Sequence, residues 1–230
     1  MFGSAGMFGS AGMFGTRSFL HSCIPAFVHY GNPVPRKLLL ATTNRDKVSE
    51  IRDVLAGVSY ELVTLADYPG VDAPEEAGHT FAENARAKAL YYARAAGGLV
   101  VAEDSGLEID ALDGAPGVES ARYGGVDATY PEKFALIYDA LASRHVVSSR
   151  ARFVCAVALV EDSRVLFDTQ GAIEGTIARE PRGRGGFGYD PIFFYPPFGC
   201  TLAEAADRKA AVSHRGQAFR ALRAFLEKER

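Results

Sequence analysis

Residues 99–107 constrain the fold more than any other stretch of this chain. A short apolar run, residues 99–102, is followed by two adjacent acids, Glu103 and Asp104, then by a serine and a glycine. A run of this length between turn residues is typical of a buried strand. Carboxylates at the carboxyl end of such a strand lie where open α/β sheets bind their ligands. Because isolated buried carboxylates are costly, the stretch predicts an α/β sheet with a cation at this edge.

The composition limits the class of protein. The chain has 230 residues, 48% apolar composition and a net charge of −3, which suits one sizeable core and disfavours a nucleic-acid or membrane-surface partner. No apolar stretch approaches the ~18 residues that a membrane helix needs. Three cysteines, Cys23, Cys155 and Cys200, are far apart and lack metal-ligand spacing. They predict a reducing, cytoplasmic location.

Residues 1–36 differ from the rest of the sequence. The hexapeptide Met-Phe-Gly-Ser-Ala-Gly occurs twice and a third copy begins at Met13, while no acidic residue precedes Asp46. We predict a disordered or over-extended N-terminus, with an organelle presequence as the alternative. The predicted domain covers residues 37–230.

Strands and helices alternate from Lys37 onward, which predicts one α/β unit. Residues 38–43 read as a strand, and Asn44 follows as a helix N-cap before an amphipathic helix. Residues 60–63 and 107–112 read as further strands, and residues 151–160 and 165–177 as a long antiparallel hairpin. Thr-x-x-Glu capping boxes predict helices after Thr80, Thr129 and Thr201.

Several of these segments carry groups suited to phosphate chemistry. Helix N-termini bind phosphate through free backbone N–H groups, so the helix after Asn44 is a candidate site. Lys47 and Lys88 could neutralise phosphate oxygens. Glu75 and Asp104, with Glu76 and Glu103 as neighbours, are candidate ligands for Mg²⁺, which prefers carboxylate oxygens. An ordinary capped helix with solvated acids is the alternative.

A glycine-rich loop, residues 182–191, supplies groups suited to a nucleobase. Phe187 could stack on an aromatic base. Hydrogen bonds to the base edge could come from a polar set: Asp190, Lys209, Ser213, His214 and Arg215. Alternatively, the loop is merely flexible or forms a small RNA-binding patch.

Six motifs make the chain similar to a known family. They are residues 41–47 (ATTNRDK), 75–85 (EEAGHTFAENA), 103–107 (EDSGL), 117–123 (GVESARY), 185–191 (GGFGYDP) and 213–216 (SHRG). From about Lys37 to its end, the chain resembles the inosine triphosphate pyrophosphatase family, which acts on dITP, ITP and XTP. Thr43 stands where the family often has glycine, and Glu103 where it often has aspartate.

The resemblance implies an elongated, long mixed β-sheet with flanking helices and two lobes around a central cleft. It also implies a homodimer, dependence on Mg²⁺, and hydrolysis between the α and β phosphates. Asp104 would be the general base, and Glu75 and Asp104 the metal ligands. The implied substrate-binding residues are Thr42, Thr43, Asn44, Arg45, Asp46, Lys47, Ser105, Phe187, Gly188, Tyr189, Asp190, Lys209, His214 and Arg215.

Three other hypotheses remain open at this point. A nucleotide sensor would bind without hydrolysis. An RNA-binding module would use Arg182 and Arg184 and would bind in a salt-sensitive way. A pyrophosphatase for modified pyrimidine nucleotides would share the fold, although the motifs at residues 187–190 and 213–216 favour purines.

Overall fold

A computed structural model describes Met1 and residues 35–228, and residues from Pro35 onward form one compact unit. The predicted N-terminal extension and its repeat lie outside the described residues, apart from Met1 and the last two positions. The strands are β1 (Arg36–Leu40), β2 (Tyr60–Thr64), β3 (Leu99–Ile109), β4 (Arg150–Glu161), β5 (Arg164–Ile177), β6 (Phe193–Tyr195) and β7 (Cys200–Thr201). The helices are α1 (Arg45–Val54), α2 (Phe81–Ala96), α3 (Tyr130–Ser143), α4 (Ala206–Val212) and α5 (His214–Lys228).

The strands form a mixed sheet with the order β2-β1-β3-β4-β5-β6-β7. β1 is parallel to both β2 and β3, and the remaining pairs are antiparallel. The predicted hairpin is β4–β5. The α/β class with a mixed sheet and flanking helices is therefore confirmed, and helices cover both faces of the sheet.

Alternation along β3 assigns its side chains to these two faces. Val100 and Ala102 pack in a cluster with α2, whereas Leu99 and Val101 pack in a second cluster with α1 and α5. A third cluster joins the far end of β3 to α3 and the strands beyond it. Helix α5 approaches β5 closely at Gly171, where a Cβ would lie 2.3 Å from the carbonyl oxygen of His214.

One prediction about β3 is wrong. The strand does not end at Glu103 and Asp104 but continues to Ile109, paired with β4 along its whole length, and residues 107–109 are its last part rather than a new strand. The neighbouring strand β1 ends instead, since Leu40 pairs with Val101. The two acids thus lie just beyond the carboxyl end of β1, at the sheet edge where ligands of α/β proteins bind.

The three capping boxes have different outcomes. Those of Thr80 and Thr129 begin α2 and α3 as predicted. The Thr201 box forms its reciprocal bonds with Glu204, but α4 begins only at Ala206. The backbone of Ala203 is hydrogen-bonded to the glycine-rich loop. Its carbonyl accepts from the N–H of Gly185, and its N–H donates to the carbonyl of Asp190. A continuous helix from Thr201 would instead direct the Ala203 carbonyl to the N–H four residues later and away from Gly185.

Candidate active site

A cleft of about 270 Å³ opens beside β3, between the start of α1, the loop before β6 and the start of α5. It brings together segments that are far apart in sequence. The predicted site residues that line it are Thr42, Thr43, Asn44, Lys47, Ser105, Phe187, Gly188, Tyr189, Asp190, His214 and Arg215.

The other five predicted site residues do not line the cleft. Arg45, Asp46 and Glu75 are exposed on the surface. Asp104 and Lys209 are buried, 5% exposed each, behind residues that form the wall. Glu75 and Asp104, the two predicted metal ligands, thus differ in exposure, and neither lines the cleft.

One end of the cleft is the N-terminus of α1. The Asn44 side chain accepts from the backbone N–H of Lys47 at 3.1 Å, and the hydroxyl of Thr42 accepts from the N–H of Asn44 at 3.2 Å. These bonds fix the turn between β1 and α1 and direct the first free N–H groups of the helix outward. The end of the cleft is therefore suited to an anion.

Glu103 is a buried anion on the α5 face of β3. Its carboxylate contacts Lys47 Nζ at 2.5 Å and Arg215 Nε at 3.4 Å, and the thiol of Cys155 donates to it at 3.1 Å. Burial opposes ionisation, but Arg215 and Lys47 hold the pKa of Glu103 well below its usual range. Glu103 is therefore charged. It forms ion pairs with both Lys47, near the start of α1, and Arg215, near the start of α5.

Arg215 is the most connected cation of the site. It is 2% exposed, its Nη1 donates to Glu50 at 2.6 Å, and its Nη2 donates to the hydroxyl of Ser105 at 2.9 Å. Glu50 also contacts Lys209 Nζ at 3.3 Å. A carboxylate of α1 thus holds two cations of the opposite wall, a link that the sequence analysis missed.

Asp104 projects to the other face of β3, toward α2. Asn84 Nδ2 donates to its Oδ2 at 3.0 Å, and Lys88 Nζ lies 3.4 Å from its Oδ1. Burial raises the pKa of Asp104, and Lys88 and Asn84 oppose this shift. Because Lys88 lines the cleft, Asp104 lies directly behind the cleft wall.

Glu76, rather than Glu75, faces the cleft from the loop before α2. Its Oε1 accepts from Lys88 Nζ at 2.8 Å, so Lys88 lies between the carboxylates of Glu76 and Asp104. Arg122 holds the loop in place, donating to the backbone carbonyl of Glu76 at 3.1 Å. The ion pairs hold the pKa of Glu76 below its usual value although burial opposes this shift.

The opposite end of the cleft is built on the glycine-rich loop. Asp190 is 1% exposed and accepts from the N–H of Phe187 at 2.9 Å and from Lys209 Nζ at 2.7 Å. Lys209 Nζ also lies 4.2 Å from the centre of the Phe187 ring. Gly186 has a φ of +68°, and a Cβ there would lie 2.2 Å from the Asp190 carboxylate, so only glycine allows this turn.

His214 forms the floor of this end. Its ring stacks on Phe153 with centroids 4.9 Å apart and an interplanar angle of 13°. Burial, together with Arg215 and Lys209, lowers its pKa well below the usual value, so the imidazole is neutral at pH 7. Its Nδ1 is buried and has no hydrogen-bond partner in the part of the chain that the structure describes. An unpaired buried nitrogen in a residue of the cleft lining is costly unless a ligand pairs with it.

Comparison with known proteins identifies the family. The model of the Ham1 family matches residues 38–225. The chain belongs to the Ham1 family. It is 47% identical over 191 residues to a "dITP/XTP pyrophosphatase" of Exiguobacterium sp., covering 83% of this chain and 96% of that protein. A Thermus thermophilus protein of the same name is 46% identical, with 81% and 89% covered. A HAM1 protein structure from Coxiella burnetii has a TM-score of 0.79 and 40% identity, over 84% of this chain and 99% of that one.

Two features are absent from the described part of this Ham1 family chain. Among residues 35–228 and Met1, no group of three or more His, Cys, Asp or Glu side chains is arranged to hold a metal ion. None of the helices in the same part of the chain is long and apolar enough to cross a bilayer.

Four functional candidates escaped the sequence analysis of this Ham1 family protein: Glu50, Arg122, Tyr130 and Phe153. Glu50 lies three residues after Lys47, on the same side of α1, and this helical spacing could have singled it out. Arg122 was placed in a loop, Tyr130 at the start of a helix and Phe153 in a strand of the hairpin, and none of them was given a functional role. No local pattern distinguishes a core aromatic residue from one that also borders a cleft.

Proposed function

We propose that this chain hydrolyses dITP, ITP and XTP to the nucleoside monophosphate and pyrophosphate, removing them from the nucleotide pool. One observation carries the proposal. A single cleft has a helix N-terminus and two lysines, Lys47 and Lys88, at one end, and an aromatic ring with buried hydrogen-bonding groups at the other. A purine nucleoside triphosphate has the matching distribution of charge and shape. The names of the Exiguobacterium and Thermus relatives support the same substrates.

The triphosphate would lie at the α1 end. The free N–H groups after Asn44 and the positive end of the helix dipole favour phosphate oxygens. Lys47 and Lys88 are now paired with Glu103 and with Glu76 and Asp104. Their ammonium groups are therefore already held at the cleft wall when the substrate arrives, which lowers the entropic cost of binding it.

The purine would lie between Phe187 and the polar groups of the other end. An apolar slot rejects a near-isostere by only ~10–200-fold, whereas committed hydrogen-bond partners reach ~10⁴ or more, because the wrong base leaves them unpaired. Neutral His214, with its free Nδ1, and the Asp190–Lys209 pair are such committed groups. Discrimination against the abundant ATP and GTP requires groups of this kind.

The carboxylates of Glu76, which faces the cleft, and of Asp104, which lies behind its wall, fit a magnesium ion. Glu76 and Asp104 already share one cation, the Lys88 ammonium. Mg²⁺ commonly uses one or two carboxylates and completes its shell with phosphate oxygens and water, so a site without a third acid suits it. We therefore assign the metal ligands to Asp104 and Glu76, in place of the exposed Glu75. When bound, the ion supplies charge neutralisation at the phosphate oxygens.

Asp104 is the proposed general base. It would accept a proton from the water whose oxygen attacks the α-phosphorus, while the bond from that phosphorus to the bridging oxygen breaks and pyrophosphate leaves. Its position directly behind the cleft wall, beside the Lys88 ammonium, suits the role, because a base must lie within hydrogen-bond reach, or one water away, of the proton that it accepts. The Asn84 bond at 3.0 Å fixes the carboxylate orientation.

A nucleoside triphosphate panel with Mg²⁺ tests the activity. We expect dITP, ITP and XTP to be hydrolysed with kcat/KM at least ~10³-fold above ATP and GTP, because the base pocket relies on paired polar groups. The measurement is product analysis that separates pyrophosphate from orthophosphate. Orthophosphate release would contradict cleavage between the α and β phosphates. Tight binding of ITP without turnover would instead support the sensor hypothesis.

The adjacent acids of the loop provide a matched pair of variants. Loss of a residue that merely supports a metal ligand commonly costs ~10–100-fold, so we expect Glu76→Gln to lower kcat/KM at least about tenfold and to raise the Mg²⁺ concentration for half-maximal activity. Glu75→Gln removes the same charge from an exposed position and should stay within about twofold of the wild type. A reversal of these two results would return the ligand role to Glu75.

Two further expectations belong to this proposal. The first is a homodimer, which light scattering of the purified chain tests. The second is a cytoplasmic location, which is supported by free Cys155 and Cys200 in the described residues. Microscopy of the full chain carrying a fluorescent tag at its C-terminus tests it.

A further inference from the structure

Tyr130 is a cleft residue with no role in the machinery described above. It is the first residue of α3, directly after the Thr129 cap and before Pro131. Its side chain borders the cleft, and the residue is 39% exposed. A large aromatic side chain at such a position is not needed to begin the helix, because the reciprocal bonds of Thr129 and Glu132 do so.

Aromatic packing fixes the ring of Tyr130. It meets the buried ring of Tyr189 edge-on, with centroids 5.4 Å apart and planes at 88°, and it packs against Phe134 at 6.2 Å. Lys133 Nζ lies 5.0 Å from the centre of the Tyr130 ring. A ring held on these sides has one orientation, and its hydroxyl is therefore presented at a defined place on the cleft wall.

The hydroxyl lies beside the glycine-rich loop. A Cβ built on Gly188 would lie 3.5 Å from the Tyr130 Oη, so the hydroxyl passes close to the backbone there. Within residues 35–228, no side-chain or backbone group forms a hydrogen bond with it. Burial raises the pKa of Tyr130, and the carboxylates of Asp190 and Asp46 raise it further, so the group lies within the electrostatic reach of both.

These two carboxylates belong to segments at different ends of the cleft, although Asp46 itself is exposed and does not line the cleft. Asp190 belongs to the base end, and Asp46 is in the first turn of α1, next to Lys47 at the phosphate end. In any nucleotide the sugar follows the base, so a hydroxyl of the cleft lining that lies beside Gly188, next to the base end, is placed to meet the sugar. We infer that Tyr130 forms the sugar subsite of this cleft, with its hydroxyl hydrogen-bonded to a sugar hydroxyl of the nucleotide.

The inference rests on the proposed function. It is tested by removing the Tyr130 hydroxyl and the sugar hydroxyls separately and together, and by comparing the resulting kcat/KM values. Tyr130→Phe removes the protein hydroxyl alone, and 2′,3′-dideoxyinosine triphosphate removes the sugar hydroxyls alone. A neutral hydrogen bond is worth about fivefold, so Tyr130→Phe should lower kcat/KM about fivefold for ITP and leave the dideoxy substrate unchanged. With dITP, a retained effect identifies the 3′-hydroxyl as the partner, and a lost effect the 2′-hydroxyl.

Tyr91→Phe is the matched control. Tyr91 is 37% exposed on α2, packs edge-on against Tyr92 and lies outside the cleft lining, so its variant should match the wild type on every substrate. An equal effect of Tyr130→Phe on ITP and on the dideoxy substrate, or no effect on either, would overturn the sugar contact while leaving the proposed function intact. A wild-type chain that does not hydrolyse ITP would overturn both the proposed function and the sugar contact. The wild-type rate alone separates this outcome from failure of the sugar contact only.

Discussion

Asp104→Asn is expected to lower kcat for dITP at least about 100-fold, because a positioned general base contributes ~10²–10⁴-fold to rate and the amide cannot accept the proton. The variant should fold normally. The oxygen of the introduced amide can still accept the 3.0 Å bond from Asn84, and Lys88 keeps its bond to Glu76. The measurement is steady-state kinetics with saturating Mg²⁺, accompanied by thermal unfolding.

Asp168→Asn is the control for this loss. Asp168 lies on β5 of the same sheet, is paired with Arg86 at the surface and is 43% exposed as a side chain. Its replacement removes the same charge without touching the cleft, and the expected change in kcat is less than twofold. If Asp104→Asn retained full activity, the base would have to be another group and the mechanism proposed for Asp104 would be abandoned.

Arg215→Met is expected to lower the free energy of unfolding by about 3–5 kcal/mol. A loss of this size is expected because removing one partner of a buried ion pair leaves the charge of the other partner buried and uncompensated. Glu103 is 3% exposed and, among the residues that the structure describes, would retain only Lys47 as a cation in contact. Glu50 would lose its 2.6 Å bond. For a domain of this size the loss corresponds to a decrease in Tm of roughly 6–20 °C.

Arg86→Met provides the comparison for the stability measurement. Its ion pair with Asp168 is exposed, and such pairs contribute ~0–1 kcal/mol. Urea unfolding of both variants, followed by fluorescence and circular dichroism, gives the two free energies. A decrease for Arg215→Met no larger than that for Arg86→Met would show that Glu103 is not held as a charged group by Arg215.

Local patterns in the sequence were sufficient for most elements of the fold. The capping boxes at Thr80 and Thr129 located two helix starts, because the box satisfies N–H groups within four residues of chain. The β4–β5 hairpin followed from two β-rich runs joined by a short polar turn. The same reasoning was wrong for β3, where the acids were read as the end of the strand. In a sequence, a buried carboxylate that is paired with cations inside a strand cannot be distinguished from an exposed carboxylate that follows the end of a strand.

The sequence by itself determined most of the order of elements, the family motifs and eleven of the predicted residues that line the cleft. It did not determine which acid faces the cleft, since Glu75 and Glu76 are adjacent and only the loop held by Arg122 turns one of them inward. It did not determine the charge network either. Arg215 and Glu103 are 112 residues apart, and no local periodicity relates them. Tertiary structure decided both, because the free energy of a buried charge depends on partners that only the folded chain brings within contact distance.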